Sequence, residues 1–320
     1  MRVTVLEAIQ KSTEFLGRKN VETPRLQTEL LLAHLLQMPR MKLYLNFDRV
    51  LTTAETEALR ELVKRRGLRE PLQHILGATS FCGLEIAVSR HALVPRPETE
   101  LLAELGWQWL GKHPTSNIQN PTSNSQNATP SALDFGTGTG CIAIALAAKC
   151  PDAIITALDV SAEALALAKE NALRNTVSER IEFLQGDGFA PLADALERGR
   201  PARESGDTNT RAGRPCSFDL IISNPPYISS AEIETLAPEV RDFDPRLALD
   251  GGADGLSFYR MFAAQAKAFL KPDGKIMLEF GDGQADAIKT IFESEKWIVE
   301  AVKEDYSQRA RILVAQASRL

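Results

Sequence analysis

The chain has 320 residues, 44% apolar and 25% charged, with a formal net charge of −5; this supports a buried core, excludes global disorder and suits about two domains of ~100–200 residues. Its four cysteines (Cys82, Cys141, Cys150, Cys216) are scattered without a CxxC pair, which excludes a disulfide framework and a zinc ribbon, and no uncharged apolar run reaches the ~18–20 residues of a membrane span; a cytoplasmic protein with no metal and no membrane partner is expected. Basic residues gather at the front, with thirteen Lys and Arg against nine Asp and Glu over residues 1–70, so the remainder carries −9 and no direct nucleic-acid partner is expected.

The first seventy residues read as helical. Glu7, Lys11 and Glu14 replace the apolar run of a signal peptide, and Val5, Ile9 and Leu16 recur on one helical face. Thr23-Pro24 offers an N-cap and an N1 proline before Leu26, Leu30 and Leu31. Thr52 and Glu55 form a capping-box pattern, and Gly67 is the expected stop after Lys64-Arg65-Arg66. No strand signal interrupts this segment, so an all-helical bundle is expected.

From residue 71 the texture changes. Gly77, Gly83, Pro95 and Pro97 punctuate short apolar alternations, which fits a hairpin and a connecting loop, and a helix should follow from Glu98 to about Trp109. Residues 111–130 contain a repeated polar heptad, PTSNIQN then PTSNSQN, and cannot bury apolar area; they read as a flexible insertion. Beyond residue 130, strand and helix patterns alternate. Strands are expected at Ala132–Phe135, Ala153–Asp159, Ile181–Gln185, Phe218–Ser223, Gly274–Phe280, Trp297–Lys303 and Arg311–Ala315, with helices starting near Cys141, Ala162, Leu256 and Gln284. Such alternation implies a mostly parallel sheet with helices on both faces. Residues 197–216 are rich in Gly, Pro and Arg and aperiodic, a second insertion; three acidic residues among its five arginines favour a plain surface loop over a nucleic-acid arm.

Four motifs carry chemistry. Asp134-Phe135 runs into Gly136-Thr137-Gly138-Thr139-Gly140 at a strand end, where alternate glycines permit a tight turn and close approach of backbone N–H groups to a ligand. The GxGxG spacing lacks the Lys-Ser/Thr of a P-loop and the third glycine position of a dinucleotide fold, which points away from phosphate binding. Asp159 ends the next strand and can accept hydrogen bonds from both ribose hydroxyls of an adenosine ligand; as a helix N-cap it is outclassed by Ser161. Gly186-Asp187-Gly188-Phe189 follows the third strand, where Asp187 could accept from an adenine amino group, although turn chemistry explains Gly-Asp-Gly equally well. Finally, the strand Phe218–Ser223 meets Asn224-Pro225-Pro226-Tyr227. Two prolines stiffen this corner, the Asn224 side chain and the Pro225 carbonyl offer two acceptors, and Tyr227 offers a ring. Two acceptors and an aromatic plane match a planar –NH₂ group.

Together these motifs resemble an S-adenosylmethionine-dependent methyltransferase with a seven-stranded Rossmann-like sheet, of the kind that methylates amino groups. Pro71–Gly77 (PLQHILG), Phe81–Glu85 (FCGLE), Pro95–Glu100 (PRPETE) and the stretch from Glu239 to Gly255 are similar to the peptide chain release factor glutamine N5-methyltransferases. The resemblance implies a helical substrate-docking domain over 1–75, a hairpin linker over 76–100 and a methyltransferase domain over 101–320. It implies methylation of the glutamine in the Gly-Gly-Gln motif of release factors 1 and 2, by a monomer. Carried over by motif, Gly136, Thr137, Gly138, Thr139, Gly140, Asp159, Asp187, Gly188 and Asn224 would hold S-adenosylmethionine. Asn224, Pro225 and Tyr227 would be catalytic, and Pro226, Arg96 and Glu98 would join them around the substrate. Where the family often has a bulky aromatic beside the adenine, this chain has Gly188, so Phe189 or aliphatic side chains are expected to replace it. His74 and His91 are read as structural. Methylation of a ribosomal-protein glutamine, a DNA or RNA amino-methyltransferase, and a nucleotide- or RNA-binding relic are the competing readings.

Overall fold

A computed structural model describes residues 2–112, 129–193 and 217–318. The expected insertions therefore lie outside the described residues, 197–216 wholly and 111–130 apart from its two ends. The chain forms two compact units: Met1–Thr79 with Val88–Arg90 and Leu236–Asp244, and Ser80–Ala87 with His91–Thr235 and Pro245–Leu320.

The first unit contains helices α1 (Val5–Arg18), α2 (Pro24–Leu35), α3 (Arg40–Tyr44), α4 (Thr53–Gly67) and α5 (Leu72–Leu76). Their apolar stripes close one core that includes Ile9, Leu16, Leu31, Leu32, Leu43 and Leu59. Capping boxes start α1 at Thr4/Glu7 and α4 at Thr52/Glu55. The all-helical expectation is corrected by one small ladder: β1 (Val3–Thr4) pairs antiparallel with β2 (Val50–Leu51). Both pieces run straight into extended N-cap residues, and two residues are too few to carry a strand period. Thr23 does not cap α2 through its side chain, because its backbone is left-handed at φ 43°; Pro24 does take the first turn. Helix α4 does end at Gly67, but not through a left-handed glycine cap. Gly67 is the last helical residue, at a point where a Cβ would meet Phe15 Cε1 at 2.6 Å, and the left-handed residue is Arg69 at φ 71°.

The short helix α9 (Pro238–Arg241) also belongs to this unit and carries its most buried ion pair. Glu239 Oε1 accepts from Arg66 Nη2 at 2.6 Å and Oε2 from Arg69 Nη2 at 2.6 Å, while the Arg66 side chain is only 4% exposed. Burial acts to raise the Glu239 carboxyl, but the bonds from Arg69 and Arg66 outweigh it and hold the group below its usual range. Removing one partner of such a pair strands the other, so Glu239→Gln is expected to lower unfolding free energy by about 2–3 kcal/mol at neutral pH. Because a depressed carboxyl stabilises above its unfolded pKa and loses that contribution on protonation, the gap between the two proteins should close as pH falls below about 4. Urea titrations at pH 7 and pH 3.5 measure both.

The second unit is built on a seven-stranded sheet of β5 (Ser131–Phe135), β6 (Ile154–Asp159), β7 (Ile181–Gln185), β8 (Phe218–Ser223), β9 (Leu270–Glu279), β10 (Trp297–Glu304) and β11 (Ala310–Ala317). The spatial order is β10-β11-β9-β8-β5-β6-β7, with β11 antiparallel to both its neighbours. Along the central strands, alternate residues enter two different cores. Ala132, Ala157, Leu220 and Met277 pack with α6 (Pro97–Lys112), α7 (Cys141–Lys149) and α8 (Ala162–Arg174). Leu133, Leu158, Ile221 and Ile276 pack on the opposite face with α10 (Ser257–Gln265) and α11 (Ala285–Ser294). A sheet covered on both faces needs continuous apolar strands, which is why the strand runs were readable. A hairpin of β3 (Ala78–Phe81) and β4 (Leu84–Ala87) turns through left-handed Cys82 and Gly83, at φ 52° and 79°.

Candidate active site

The sheet reverses its winding between β5 and β8, and the carboxyl ends of those neighbours are where an open α/β sheet holds a ligand. A cavity of about 320 Å³ opens there, lined within the second unit by the glycine turn after β5, the end of β6, the turn after β7 and the corner after β8.

The glycine turn is shaped by backbone bonds and one buried carboxylate. Gly136 N and Thr137 N donate to Leu158 O at 2.8 and 2.9 Å. Asp134, fully buried, accepts from Thr137 Oγ1 at 2.6 Å and from Ala143 N at 3.0 Å; burial nevertheless pushes its carboxyl up to about 7. Gly140 caps α7 at φ 81°, and a Cβ on it would meet Ala168 Cβ at 3.0 Å. A Cβ at Gly136 or Gly188 would find no protein atom within 4 Å, so the space beside these two backbones is open. Asn171, fully buried in α8, donates to the carbonyls of Ala87 and Thr139 at 3.0 Å and accepts from Ala87 N at 2.8 Å, fastening β4 to the turn.

The structure brings Gly136, Thr137, Gly138, Thr139, Asp159, Asp187, Gly188, Arg96, Asn224, Pro225 and Pro226 onto the cavity wall. Asp159 has structural work as well: Oδ2 accepts from Gly138 N at 2.8 Å and Oδ1 from Ser161 N at 2.9 Å. Ser161 is the cap of α8, accepting from Ala164 N at 3.1 Å. Phe189 does not stand in for the missing aromatic, because it is 3% exposed and stacked on Phe269 at 5.0 Å. Apolar walling comes instead from Ile142, Leu158, Val160, Phe258 and Met261. Gly140 lies behind the turn rather than on the wall, and Glu98 is exposed in the first turn of α6. His91 lies on the rim of the cavity.

The corner after β8 is braced from several sides. Ser223 Oγ donates to Phe135 O at 2.6 Å, joining the ends of β8 and β5. Asn224 Nδ2 donates to Thr99 Oγ1 at 3.0 Å. Tyr227 is not on the cavity wall; its ring packs beside Gly281, where a Cβ would come within 3.0 Å of Cδ2, and its carbonyl accepts from Gln284 Nε2 at 2.9 Å. Burial pushes its phenol above the usual range. The glycines of the Asp250–Gly255 stretch let backbone close over the corner, since a Cβ at Gly251 would lie 2.9 Å from Pro226 O and one at Gly255 2.4 Å from Tyr227 O. Thr99, Glu279 and Gln284 were not singled out in the sequence. The signal for two of them was Glu279–Gln284 (EFGDGQ), which leaves β9 at the same strand-end layer.

Among the described residues, no group of three or more His, Cys, Asp or Glu side chains is arranged to hold a metal, and no helix is long and apolar enough to cross a membrane.

Comparison with known proteins adds two family matches and a set of full-length relatives. The PrmC N-terminal domain family matches residues 7–77, and the methyltransferase small domain family matches 119–198. The release factor glutamine methyltransferase of Geobacter sulfurreducens is 40% identical over 289 residues, covering 90% of this chain and 88% of that protein. Its counterpart in Chlorobaculum tepidum is 38% identical over 315 residues, covering 98% and 97%. That of Rhodospirillum rubrum is 38% identical over 296 residues, covering 92% and 80%.

Proposed function

The chain belongs to the release factor glutamine methyltransferase family, and on that premise we propose that it transfers the methyl group of S-adenosylmethionine to the side-chain amide nitrogen (N5) of the glutamine in the Gly-Gly-Gln motif of release factors 1 and 2. The observation that carries this reading is one cavity walled by both the glycine turn and the Asn-Pro-Pro corner, whose strands are joined by the Ser223–Phe135 hydrogen bond.

The residues present fit the cofactor. Open space beside Gly136 and Gly188, carboxylates at Asp159 and Asp187, and aliphatic walls at Leu158 and Val160 suit an adenosyl group, and about 320 Å³ falls at the low end of small-ligand cavities. Gly136 to Thr139 would line it, Asp159 would accept from its ribose hydroxyls and Asp187 from its adenine amino group. When bound, the cofactor supplies an activated methyl group on a positively charged sulfur.

Asn224 and Pro225 act on the glutamine. An amide nitrogen is a poor nucleophile because its lone pair is delocalised into the carbonyl. Asn224 Oδ1 and the Pro225 carbonyl would each accept one N–H, drawing the lone pair back onto nitrogen and aiming it. Fixed dipoles in a cavity with largely apolar walls then favour a transition state in which charge spreads. Tyr227 serves the corner from behind, through the ring against Gly281 and the carbonyl on Gln284. No strong base is needed, because the methylated, N-protonated amide is acidic enough to release its proton to water. Arg96, on the wall, and Glu98, beside it on α6, stand where the substrate chain would enter.

Methyl-radiolabelled S-adenosylmethionine, offered with a release factor, a ribosomal protein or duplex DNA, tests this. Label is expected in the release-factor peptide that contains Gly-Gly-Gln and should vanish when that glutamine is replaced by glutamate. Label confined to another acceptor would overturn the reading.

A further inference from the structure

Glutamine is a poor residue for the head of a helix, where Ser, Thr, Asp or Asn would satisfy the unpaired N–H groups of the first turn. Gln284 nonetheless holds that place at the start of α11, and its side chain makes no cap bond. It reaches backwards instead. Its Oε1 accepts from Gly281 N at 2.9 Å, and its Nε2 donates to Tyr227 O at 2.9 Å. A backbone N–H only donates and a backbone carbonyl only accepts, so these two partners fix which end of the amide faces which.

The bond to Tyr227 is walled by two bare backbones from different parts of the chain. A Cβ on Gly255 would lie 2.4 Å from Tyr227 O and 2.8 Å from Gln284 Nε2, and one on Gly281 would lie 3.0 Å from both Gln284 Oε1 and Tyr227 Cδ2. Both glycines are buried, and a hydrogen bond shielded from water holds its geometry more firmly than an exposed one.

This bond closes the rear of the corner. At the front, Ser223 Oγ is held on Phe135 O and Asn224 Nδ2 on Thr99 Oγ1. Beyond the corner, Ile228 N donates to Leu249 O at 3.0 Å and Gly251 N to Ile228 O at 2.8 Å. Between Asn224 and Tyr227 the chain is two prolines, whose locked φ and whose restriction of each preceding residue leave little slack. A shift of the Tyr227 carbonyl is therefore passed on to the Pro225 carbonyl. We propose that Gln284 is a positioning residue for methyl transfer: it clamps the rear end of the proline corner and so sets the Pro225 carbonyl where it accepts from the substrate amide. This inference rests on the function proposed above and adds to it a residue that stands off the cavity wall.

The test uses the full chain, a release factor and S-adenosylmethionine. Gln284→Glu keeps the shape and an oxygen for Gly281 N, but it puts an acceptor where Tyr227 O needs a donor. Gln284→Met keeps the length and removes both bonds. Each should lower kcat by about tenfold or more, because a misplacement of ~1 Å at a reacting group slows chemistry as much as a hundredfold. The KM for the release factor and the dissociation constant for S-adenosylmethionine should stay within about twofold. A side chain that only braced the turn before α11 would leave Gln284→Glu at wild-type kcat, since the Gly281 bond survives in it. Wild-type kcat in Gln284→Glu thus overturns the clamp, as does a loss of S-adenosylmethionine affinity as large as the loss of kcat. Thermal unfolding is followed in parallel; if neither variant folds, Gln284 holds the fold rather than the corner, and the proposal fails. If the wild-type chain itself fails to label a release factor, it is the function proposed above that fails, and the clamp with it.

Discussion

Replacing Asn224 with alanine is expected to cut kcat about a thousandfold, the scale seen when one preorganised hydrogen-bonding group is removed from a transition-state site, with cofactor affinity changed by no more than about threefold. Two losses combine. The substrate amide loses one of its two acceptors, so its lone pair stays delocalised, and Thr99 loses the donor that its oxygen faces. The scaffold is untouched: β8 remains paired with β5, Ser223 still binds Phe135, and Pro225 and Pro226 still stiffen the corner. Calorimetric titration with S-adenosylmethionine and single-turnover transfer to a release factor separate binding from chemistry. Full activity in the variant would end the assignment of the corner as the catalytic element.

Asp159→Ala should show the opposite pattern, with cofactor affinity falling first. Two charge-assisted hydrogen bonds to ribose hydroxyls are worth roughly 1.5–3 kcal/mol each, so a loss of a hundredfold or more in affinity is expected. The structure adds a second route to the same loss, since this carboxylate also holds Gly138 N and Ser161 N and so shapes the glycine turn. Asp159→Asn separates the two. It keeps one oxygen acceptor and should retain part of the turn geometry, giving an affinity between wild type and alanine. Were Asp159→Ala to bind S-adenosylmethionine as tightly as wild type, the ribose assignment would have to be abandoned.

What could be read from the sequence, and what could not, divides along physical lines. The strands Ser131–Phe135 and Phe218–Ser223 were legible because burial on both faces demands unbroken apolar runs, and the glycine turn because it must adopt backbone that side chains resist. Gly67 does end α4, but without the left-handed backbone of a glycine cap; a glycine also appears where a helix approaches a neighbour closely, here Phe15, and nothing local separates the two uses. Phe189 was an available aromatic, yet the pull of Phe135, Phe262 and Phe269 took it into the core. The side of the corner that Tyr227 takes depends on Gly281 and Gln284, far along the chain. Thr99 and Asn224 are 125 positions apart, and a buried threonine carries no pattern of its own.

The tie between Ser223 and Phe135 has a consequence for how the catalyst can change. On the function proposed, the seat of the methyl donor would hang from the tip of β5, and the seat of the acceptor nitrogen from the tip of β8. These are adjacent, directly paired strands, in register from Ala132 opposite Leu220 to Asp134 opposite Ile222. The offset between the two seats is thus a ruler cut by main-chain pairing, ~4.8 Å from strand to strand, which no side-chain substitution can lengthen. Mutation can alter which molecule is admitted and how it is gripped, while the reach from donor to acceptor stays the same.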